Sequence, residues 1–314
     1  MVRIGTAEAR PGEVTKGVIP VPGLPASSHP PVAVIAGREV GPTLLVTGGV
    51  HGAEYTSIEA ARRTAAATDP AKLRGVLAVI PIVSLDMFWE RGIYVHPLDG
   101  KNPNRQYPGR ATGTASERLA AAIFEQAMGP ADYVCDLHGG DMVEALEPFT
   151  GVHKGAAPDV LARSLAMAHA FGIEEVLIGE TVGSTYGAAA MAGKPAILSE
   201  AGGQGVLSEP GAELLARGVQ RLMQHLGMLE GTPEPLPIRE RQGSAWITAP
   251  ATGLWYPAKE PGEAVREGEL LGAMTDIWGS PLTEVRAPAA GRVTWIVTAM
   301  AMKEGQAMAG VARD

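Results

Sequence analysis

Short apolar runs that alternate with helical patterns place the strongest limits on how this chain can fold. Five runs have the length and the flanking residues of buried strands, at residues 43–50, 75–83, 133–138, 176–179 and 195–199. Helical patterns lie between and after them, at residues 53–67, 116–128, 158–171 and 209–228. Strands that alternate with helices favour a mainly parallel sheet with helices on both faces. We therefore predict an α/β fold built on a mainly parallel mixed sheet flanked by helices.

Two of the predicted helices carry a capping-box spacing near their first residue. Thr56 and Glu59 have this spacing in one helix, and Thr114 and Glu117 have it in the next. In a capping box, each of the two side chains bonds to the backbone N–H of the other residue. We therefore expect a side-chain cap near the start of both helices.

The composition of the chain changes after residue 230. Residues 231–242 contain three prolines, mixed charges and no periodicity, which is typical of a linker. Beyond them, segments 249–272 and 287–310 resemble each other at a shift of 38 residues, and each begins with A-P-A-x-G. A duplicated β unit of this size favours a small closed structure. We therefore predict two domains, 1–230 and 243–314, the second an all-β barrel or sandwich with an internal repeat.

Charge, cysteine content and hydropathy exclude several classes of protein. The chain has 26 Lys and Arg against 34 Asp and Glu, a net charge of −8, which argues against a nucleic-acid partner because phosphates attract positive charge. The single cysteine, Cys135, cannot form an internal disulfide and favours a reducing compartment. The longest apolar run, residues 76–83, is far too short to span a membrane. We therefore expect a soluble, cytoplasmic protein that binds neither nucleic acid nor membranes.

His51 and Glu54 lie just after a predicted strand, in the segment H-G-A-E that opens a helix. An H-x-x-E pair by itself is more often a surface pair than a pair of metal ligands. Here, however, His138 ends another predicted strand, and parallel strands end at the edge where α/β proteins bind ligands. Two histidines and a glutamate are a ligand set of catalytic zinc sites, which keep one position open. We predict one zinc ion per chain, with Asp136 as an outer partner of His138 on the same strand face.

Two further segments offer groups for binding and catalysis. Asn104 and Arg105 lie in a loop rich in proline and glycine, and a guanidinium group can bind a planar carboxylate through two bonds. Arg91 lies 14 residues before Arg105 in the same loop region. Glu200 ends a predicted strand and is followed by glycines, so it is a candidate general base beside a zinc-bound water. The alternatives are an ordinary exposed loop, and a glutamate that only caps or pairs at a strand end.

Four segments, taken in their order along the chain, resemble the succinylglutamate desuccinylase/aspartoacylase family, which has a zinc-carboxypeptidase-like fold. They are GGVHGAE, RGIYVHPLDGKNPNRQYPG, DLHGG and SEAGGQG, within residues 48–205. The resemblance implies that three side chains bind zinc, namely those of His51, Glu54 and His138. It implies further roles in binding the substrate carboxylate (Asn104 and Arg105), in polarising the scissile carbonyl (Arg91) and in activating water and protonating the leaving amine (Glu200).

The chain departs from the family pattern at a few positions. The usual N-L-N-R-x-F-P-G differs here at Pro103 and Tyr107, and Ser84 stands where an asparagine is common. Because we expect these positions near the pocket, they leave the substrate open among N-succinyl-glutamate, N-acetyl-aspartate and N-acetyl-diaminobutyrate.

The function predicted from these residues is that of a zinc-dependent amidohydrolase. It would cleave the amide bond of a small N-acyl amino acid through glutamate-assisted attack of a zinc-bound water. The alternatives are a metallocarboxypeptidase acting on short peptides and a non-catalytic ligand-binding module.

The C-terminal half-repeats also resemble the halves of a biotinyl or lipoyl barrel, but the turn between them, residues 274–284, has no lysine, and Lys303 lies inside the second half. We therefore expect a structural module that covers one side of the cleft or forms a homo-oligomer interface. We expect the other five histidines to be structural or surface residues and, among them, place His96 and His153 nearest the pocket.

Overall fold

The structure is a computed structural model that describes residues 1–313. The first twelve strands are β1 (Val2–Ile4), β2 (Ala7–Ala9), β3 (Val14–Val18), β4 (Pro31–Ala36), β5 (Glu39–Thr47), β6 (Arg74–Ile80), β7 (Tyr133–His138), β8 (Glu144–Leu146), β9 (Phe149–His153), β10 (Glu175–Gly179), β11 (Ala196–Glu200) and β12 (Arg239–Arg241). The later strands are β13 (Ser244–Thr248), β14 (Gly253–Pro257), β15 (Ala264–Val265), β16 (Leu270–Thr275), β17 (Pro281–Arg286), β18 (Gly291–Val297), β19 (Ala301–Met302) and β20 (Ala307–Arg313).

The α-helices are α1 (Tyr55–Ala67), α2 (Leu85–Glu90), α3 (Ala115–Ile123), α4 (Pro158–Phe171), α5 (Thr185–Met191) and α6 (Glu209–His225). Short turns of 3-10 helix lie at Ala26–Ser28 and Pro103–Arg105, and a π-helical turn, Phe124–Met128, follows α3. No helix within residues 1–313 combines the length and apolar character needed to cross a membrane.

Nine strands form one large sheet in the order β12-β10-β9-β11-β7-β5-β6-β4-β3. Five of the eight neighbouring pairs are parallel, including the central run β11-β7-β5-β6. The pairs β9–β11, β4–β6 and β3–β4 are antiparallel. The prediction of a mainly parallel mixed sheet is therefore confirmed.

The central strands are buried on both faces of this sheet. Alternate residues of a strand point to opposite faces, so that Leu44 and Val46 of β5 belong to one buried cluster and Leu45 belongs to the other. Helices α1, α4 and α6 contribute to the cluster of Leu44, whereas α3 and α5 contribute to that of Leu45. Burial on both faces explains why these strands read as almost continuous apolar runs in the sequence.

The strands after residue 243 form two further sheets around a third buried cluster, which includes Trp255 and Val293. One sheet has the order β13-β20-β18-β15, with β8 also paired to β18, and the other has the order β17-β16-β14-β19. A shift of 38 residues moves β13, β14, β15 and β16 onto β17, β18, β19 and β20. Each strand of one sheet therefore has its repeat counterpart at the same place in the other sheet, which gives the internal repeat a structural basis.

Only one of the two expected capping boxes is present. Thr114 and Glu117 form the box at the start of α3, with the Thr114 amide donating to Glu117 at 2.8 Å. The box expected from Thr56 is wrong, because α1 begins at Tyr55 with Glu54 as its N-cap residue. The Thr56 hydroxyl instead accepts a hydrogen bond from the amide of Ser208, a distant residue that local spacing does not reveal.

Several short strands were not predicted from the sequence. Strands β1, β2 and β8 have three residues each, too few side chains to show an alternating pattern. Within the expected linker, Arg239–Arg241 forms β12 and extends the large sheet beside β10. The side chain of Arg241 explains this placement, because it makes a buried ion pair with Glu175 at 2.8 Å.

Candidate functional site

Three neighbouring parallel strands end at the site. Strands β11, β7 and β5 lie side by side, so their carboxyl ends share one edge of the sheet. The register pairs Glu200 with His138 and Asp136 with Thr47. The turn after β5 carries His51 and Glu54 and leads into α1. The structure thus brings together two segments that are 84 residues apart in the chain, between Glu54 and His138.

His51 and His138 turn the same type of nitrogen towards Glu54. Nδ1 of His51 lies 2.7 Å from Oε1 of Glu54, and Nδ1 of His138 lies 3.0 Å from Oε2. All three side chains are buried, and their ligand atoms lie within 4.8 Å of one another. Imidazole nitrogens and a carboxylate oxygen are donors that zinc binds in catalytic sites. The donor set and its convergence therefore fit a zinc ion held by these three side chains.

Hydrogen-bond acceptors hold the outer nitrogens of both rings. Nε2 of His138 lies 2.9 Å from Oδ2 of Asp136, whose other oxygen accepts a 2.6 Å bond from the Thr47 hydroxyl. Nε2 of His51 lies 3.1 Å from Oδ1 of Asn102. Such outer partners fix the ring orientation and the tautomer of ligating histidines. We expected Asp136 in this role from strand alternation, whereas Asn102, although it opens the N-P-N-R segment, was not predicted as a partner of His51.

The charges within this cluster depend strongly on one another. Burial alone would raise the pKa of Glu54, but the charges and hydrogen bonds of His138 and His51 outweigh it and lower the pKa to about 2. Burial alone would lower the pKa of His138, but the carboxylates of Asp136 and Glu54 raise it well above its usual value. The carboxylate of Glu54 is therefore ionised, as a metal ligand must be.

Glu200 lies beside the cluster without belonging to it. Its side chain lines the same cavity as His51 and His138. Burial raises the pKa of Glu200 well above its usual value; the charge of His138 opposes this effect, and the charges of Glu54 and Glu144 add to it. A carboxyl group with a raised pKa at this position is suited to accept a proton and then to release it.

Asn104 and Arg105 also line the cavity, on the short helical turn Pro103–Arg105. The side chain of Asn102 caps this turn by accepting a 2.8 Å bond from the Asn104 amide. Oδ1 of Asn104 accepts bonds from the backbone amide and hydroxyl of Thr185, at 2.9 and 3.0 Å. These bonds fix the Asn104 carboxamide and leave its NH2 group as the donor available to a ligand.

The structure does not bring Arg91 into the cavity. Arg91 is exposed, and it ends α2 in the left-handed conformation with φ 53°. Among residues 1–313, Tyr94 and its neighbours in this loop line the cavity instead. The role of Arg91 in polarising a carbonyl therefore stays a prediction.

Two histidines that we expected at the pocket are also placed elsewhere. His96 is buried with Nε2 3.5 Å from Asp86, and His153 is buried against Tyr186. Neither is among the described residues that line the cavity. The same holds for Pro103, Tyr107 and Ser84, so the departures from the family pattern do not reshape the cavity wall directly.

The cavity has a volume of about 1080 Å³ and extends beyond the cluster formed by His51, Glu54 and His138. One part of its wall comes from the ends of the large sheet, and another comes from β13 and β18 through Trp246 and Trp295. The strands after residue 243 therefore contribute directly to the space in which a ligand would bind.

A family model and a curated relative each match more than half of the chain. Residues 40–226 match the family described as the succinylglutamate desuccinylase/aspartoacylase catalytic domain. An N-alpha-acetyl-L-2,4-diaminobutyric acid deacetylase of Halomonas elongata is 28% identical over 265 residues, which are 81% of this chain and 76% of that protein.

Solved structures extend the similarity to nearly the whole chain. The product-bound ectoine utilization protein EutE (DoeB) of Ruegeria pomeroyi has a TM-score of 0.88 and 26% identity, over 98% of this chain and 97% of that one. A succinylglutamate desuccinylase/aspartoacylase of Rhodobacter sphaeroides has a TM-score of 0.83 and 30% identity, over 91% and 89% of the two chains. The chain belongs to the succinylglutamate desuccinylase/aspartoacylase family.

Proposed function

We propose that this protein is a zinc-dependent deacylase that hydrolyses the amide bond of a small N-acyl amino acid. The observation that carries the proposal is the convergence of His51, Glu54 and His138 on one point, beside Glu200 in a large cavity. In this proposal the two Nδ1 atoms and the Glu54 carboxylate hold the metal. Zinc, when bound, supplies a Lewis acid for the amide carbonyl and for the attacking water.

Glu200 is the proposed general base and then the general acid. Its carboxylate takes a proton from the attacking water, and the same proton passes to the nitrogen of the breaking C–N bond. The second proton of the water also ends on the leaving nitrogen, so water is consumed and the products are a carboxylate and an ammonium. Glu54 is occupied in the metal cluster and Asp136 is bonded to His138 and Thr47, so neither has the freedom to do this.

Asn104 and Arg105 are the proposed binding groups for the substrate carboxylate. Arg105 lies on the cavity wall, and its Nη1 donates to the Asn104 carbonyl at 2.7 Å, which couples the positions of the two residues. A guanidinium and a carboxamide NH2 can together donate several bonds to one carboxylate. The relative from Halomonas elongata is a deacetylase of an N-acetyl amino acid with a free carboxylate, which supports this class of substrate.

The most informative experiment is a liquid-chromatography screen of the zinc-loaded protein against N-acetyl, N-succinyl and N-formyl amino acids. Short peptides with a free carboxyl terminus are included to test for carboxypeptidase activity. We expect release of a free amino acid from at least one N-acyl compound, and about one zinc per chain by metal analysis. Cleavage of peptides alone would overturn the proposed substrate class, and absence of zinc with no turnover would favour a ligand-binding module.

Glu200→Gln tests the division of roles at the site. The variant keeps the shape of the side chain but removes the base, so we expect normal folding, normal zinc content and a loss of turnover of about 10²- to 10⁴-fold. Glu180→Gln, a change at another cavity carboxylate, is the matched control. Loss of zinc in Glu200→Gln would make Glu200 a ligand, and turnover within a few-fold of the parent would place the base elsewhere.

A further inference from the structure

The cavity extends well beyond the edge of the large sheet at which Glu200 lies. Strand β9 runs antiparallel to β11, so Phe149 lies opposite Glu200 and β9 leads away from this edge. Strand β10 runs parallel to β9 and brings Gly179 opposite His153, which lies four residues beyond Phe149. Four residues of a strand span about 13 Å. Because Gly179 lines the cavity as Glu200 does, the cavity follows the sheet over this distance.

A small N-acyl amino acid fills only part of this space. An N-acetyl amino acid corresponds to about two extended residues, or roughly 7 Å. The cavity volume of about 1080 Å³ is at the upper limit of pockets that hold drug-sized ligands. The end of the cavity lined by Gly151, Leu177, Gly179 and Trp246, which we call the distal part, therefore has room for a further group of the ligand.

The sheet face in the distal part combines apolar side chains with open space. Gly151 of β9 lies between Leu177 of β10 and Leu198 of β11, and paired residues share one face of a sheet. Gly179 lies two residues after Leu177, on the same face. A Cβ at Gly179 would meet no atom within 4 Å, so the space above this residue is open. The leucines offer apolar contact, and the glycines leave room for a ligand group.

Two tryptophans of the C-terminal strands add aromatic surface. A Cβ at Gly243 would lie 4.0 Å from the Ile178 carbonyl oxygen of β10, and Trp246 follows three residues later on β13. Trp246 is 58% exposed although it lines the cavity, and its ring centroid lies 5.0 Å from that of Trp295. Trp295 lies opposite Leu146, where β18 pairs with β8. Backbone pairing therefore holds this aromatic surface against the large domain, where it offers a large apolar contact area.

The binding site proposed for the substrate carboxylate lies towards the distal part. Arg105 interacts electrostatically with Tyr186 as well as with Glu200. The Tyr186 hydroxyl would lie 3.7 Å from a Cβ at Gly151, and a Cβ at Gly183, shortly after β10, would lie 2.4 Å from the Arg105 carbonyl oxygen. A carboxylate bound by Arg105 therefore places the amino-acid half of the substrate, rather than its acyl half, next to the distal part.

We propose that the distal part binds a large apolar side chain of the amino-acid half, either aromatic or long and aliphatic. This inference rests on the proposed deacylase function and adds a subsite that selects the amino acid. The charged residues beyond β9 and β10 do not favour a charged side chain, because Lys154 and Glu180 lie 3.8 Å apart and offset each other, and Arg313 is exposed to solvent.

The test compares N-acetyl-alanine with N-acetyl-phenylalanine, which differ only in the size of the side chain. We expect the zinc-loaded protein to show a kcat/KM about ten- to a hundredfold higher for N-acetyl-phenylalanine, the factor that burial of a phenylalanine side chain supplies. N-benzoyl-alanine carries the ring on the acyl half instead, and it should show no such gain over N-acetyl-alanine.

Two variants should remove most of this preference, mainly by raising KM for N-acetyl-phenylalanine. Gly179→Leu places a side chain in the open space, and Trp246→Ala removes the exposed aromatic surface. Two controls should keep the preference. Gly179→Ala adds only a methyl group, and Trp278→Ala removes an exposed tryptophan that is not among the described residues that line the cavity.

The outcomes separate this inference from the proposed function. Equal kcat/KM for the two N-acetyl compounds, or a preference that survives both Gly179→Leu and Trp246→Ala, would overturn the subsite while leaving a deacylase. A gain for N-benzoyl-alanine alone would also overturn it, because the distal part would then bind the acyl half.

If no N-acyl amino acid is hydrolysed, the proposed function itself fails. Calorimetric titration of the unaltered protein with phenylalanine and with alanine then tests the subsite, because binding needs no turnover. We expect a Kd about ten- to a hundredfold lower for phenylalanine, and equal Kd values would overturn the inference. Both comparisons use the unaltered protein, so they do not depend on the folding of any variant.

Discussion

Asn102 connects the two halves of the candidate site. Its Oδ1 lies 3.1 Å from Nε2 of His51 and also accepts the 2.8 Å bond from the Asn104 amide. Asn102→Ala should therefore weaken zinc binding about 10- to 100-fold, as the loss of an outer partner of a ligating histidine does. Competition with a chromophoric chelator measures this change. An unchanged zinc affinity would show that His51 needs no partner on its outer face. Gln126→Ala, which removes a side chain bonded to Pro20 far from the site, is the control.

A second prediction concerns the binding of the substrate carboxylate by Arg105. Arg105→Lys keeps the positive charge but loses the two-bond geometry, so we expect a KM at least about tenfold higher for free-acid substrates. Substrates whose carboxylate is amidated should be turned over slowly by both proteins, because the bond in question is then absent. A Lys variant with the KM of the parent would contradict the carboxylate assignment. Arg163→Lys is the control, since Arg163 is exposed on α4 and is not among the described residues that line the cavity.

At the scale of elements, the contact between α4 and α6 depends on a glycine. Gly218 of α6 faces the ring of Phe171 of α4, and a Cβ at Gly218 would lie 2.2 Å from a ring carbon. Alanine favours a helix by about 1 kcal/mol over glycine, but overpacking of a buried ring costs about 1–3 kcal/mol. Because Phe171 is almost fully buried, we expect Gly218→Ala to lower the free energy of unfolding in urea.

The double variant Gly218→Ala/Phe171→Leu checks the cause of that loss. If the ring clash is responsible, the two changes together should cost less than the sum of their separate effects, because neighbouring residues couple. A single Gly218→Ala variant that is more stable than the parent would show that helix propensity outweighs packing at this position.

For the whole molecule, zinc should act as a link between separate segments. His51 and Glu54 follow β5, and His138 ends β7. A metal that binds only the folded chain raises the free energy of unfolding by about 2.7 kcal/mol when the concentration of free zinc is a hundredfold above Kd. We expect a chelator to abolish turnover and lower the Tm, and added zinc to restore both. His138→Ala, which removes one ligand, should show no zinc-dependent change in Tm. A Tm unaffected by chelator would argue against a resident metal.

The arrangement of the whole chain also gives the strands after residue 243 a part in the site. Trp246 and Trp295 line the cavity, and β18 pairs with β8 next to Glu144. The repeat that the sequence shows at a shift of 38 residues therefore does more than build a separate unit. It also supplies part of the cavity wall.

Residue patterns along the chain predicted five strands of the large sheet, β5, β6, β7, β10 and β11, and the edge at which the candidate site lies, but not β3, β4, β9 and β12. Apolar runs and helical periodicity predicted the alternating elements, because strands buried on both faces must be apolar throughout. The convergence of His51, Glu54 and His138 could also be predicted, because His138 ends a strand, His51 and Glu54 lie in the turn after β5, and parallel strands share the edge at which they end. For these residues, local position along the chain already implies position in space.

The groups that surround this edge could be identified only in the folded structure. Asn102 reaches the site from a loop, Thr185 from the start of α5 and Glu144 from a three-residue strand, so no spacing in the sequence relates them to the histidines. Arg91 shows the converse. Its place in a segment that matches the family pattern predicted a role at the site, but Arg91 lies in a left-handed turn and is not among the described residues that line the cavity. The physical reason is the same in each case: loop conformation depends on distant hydrogen-bond partners, which periodicity along the chain does not record.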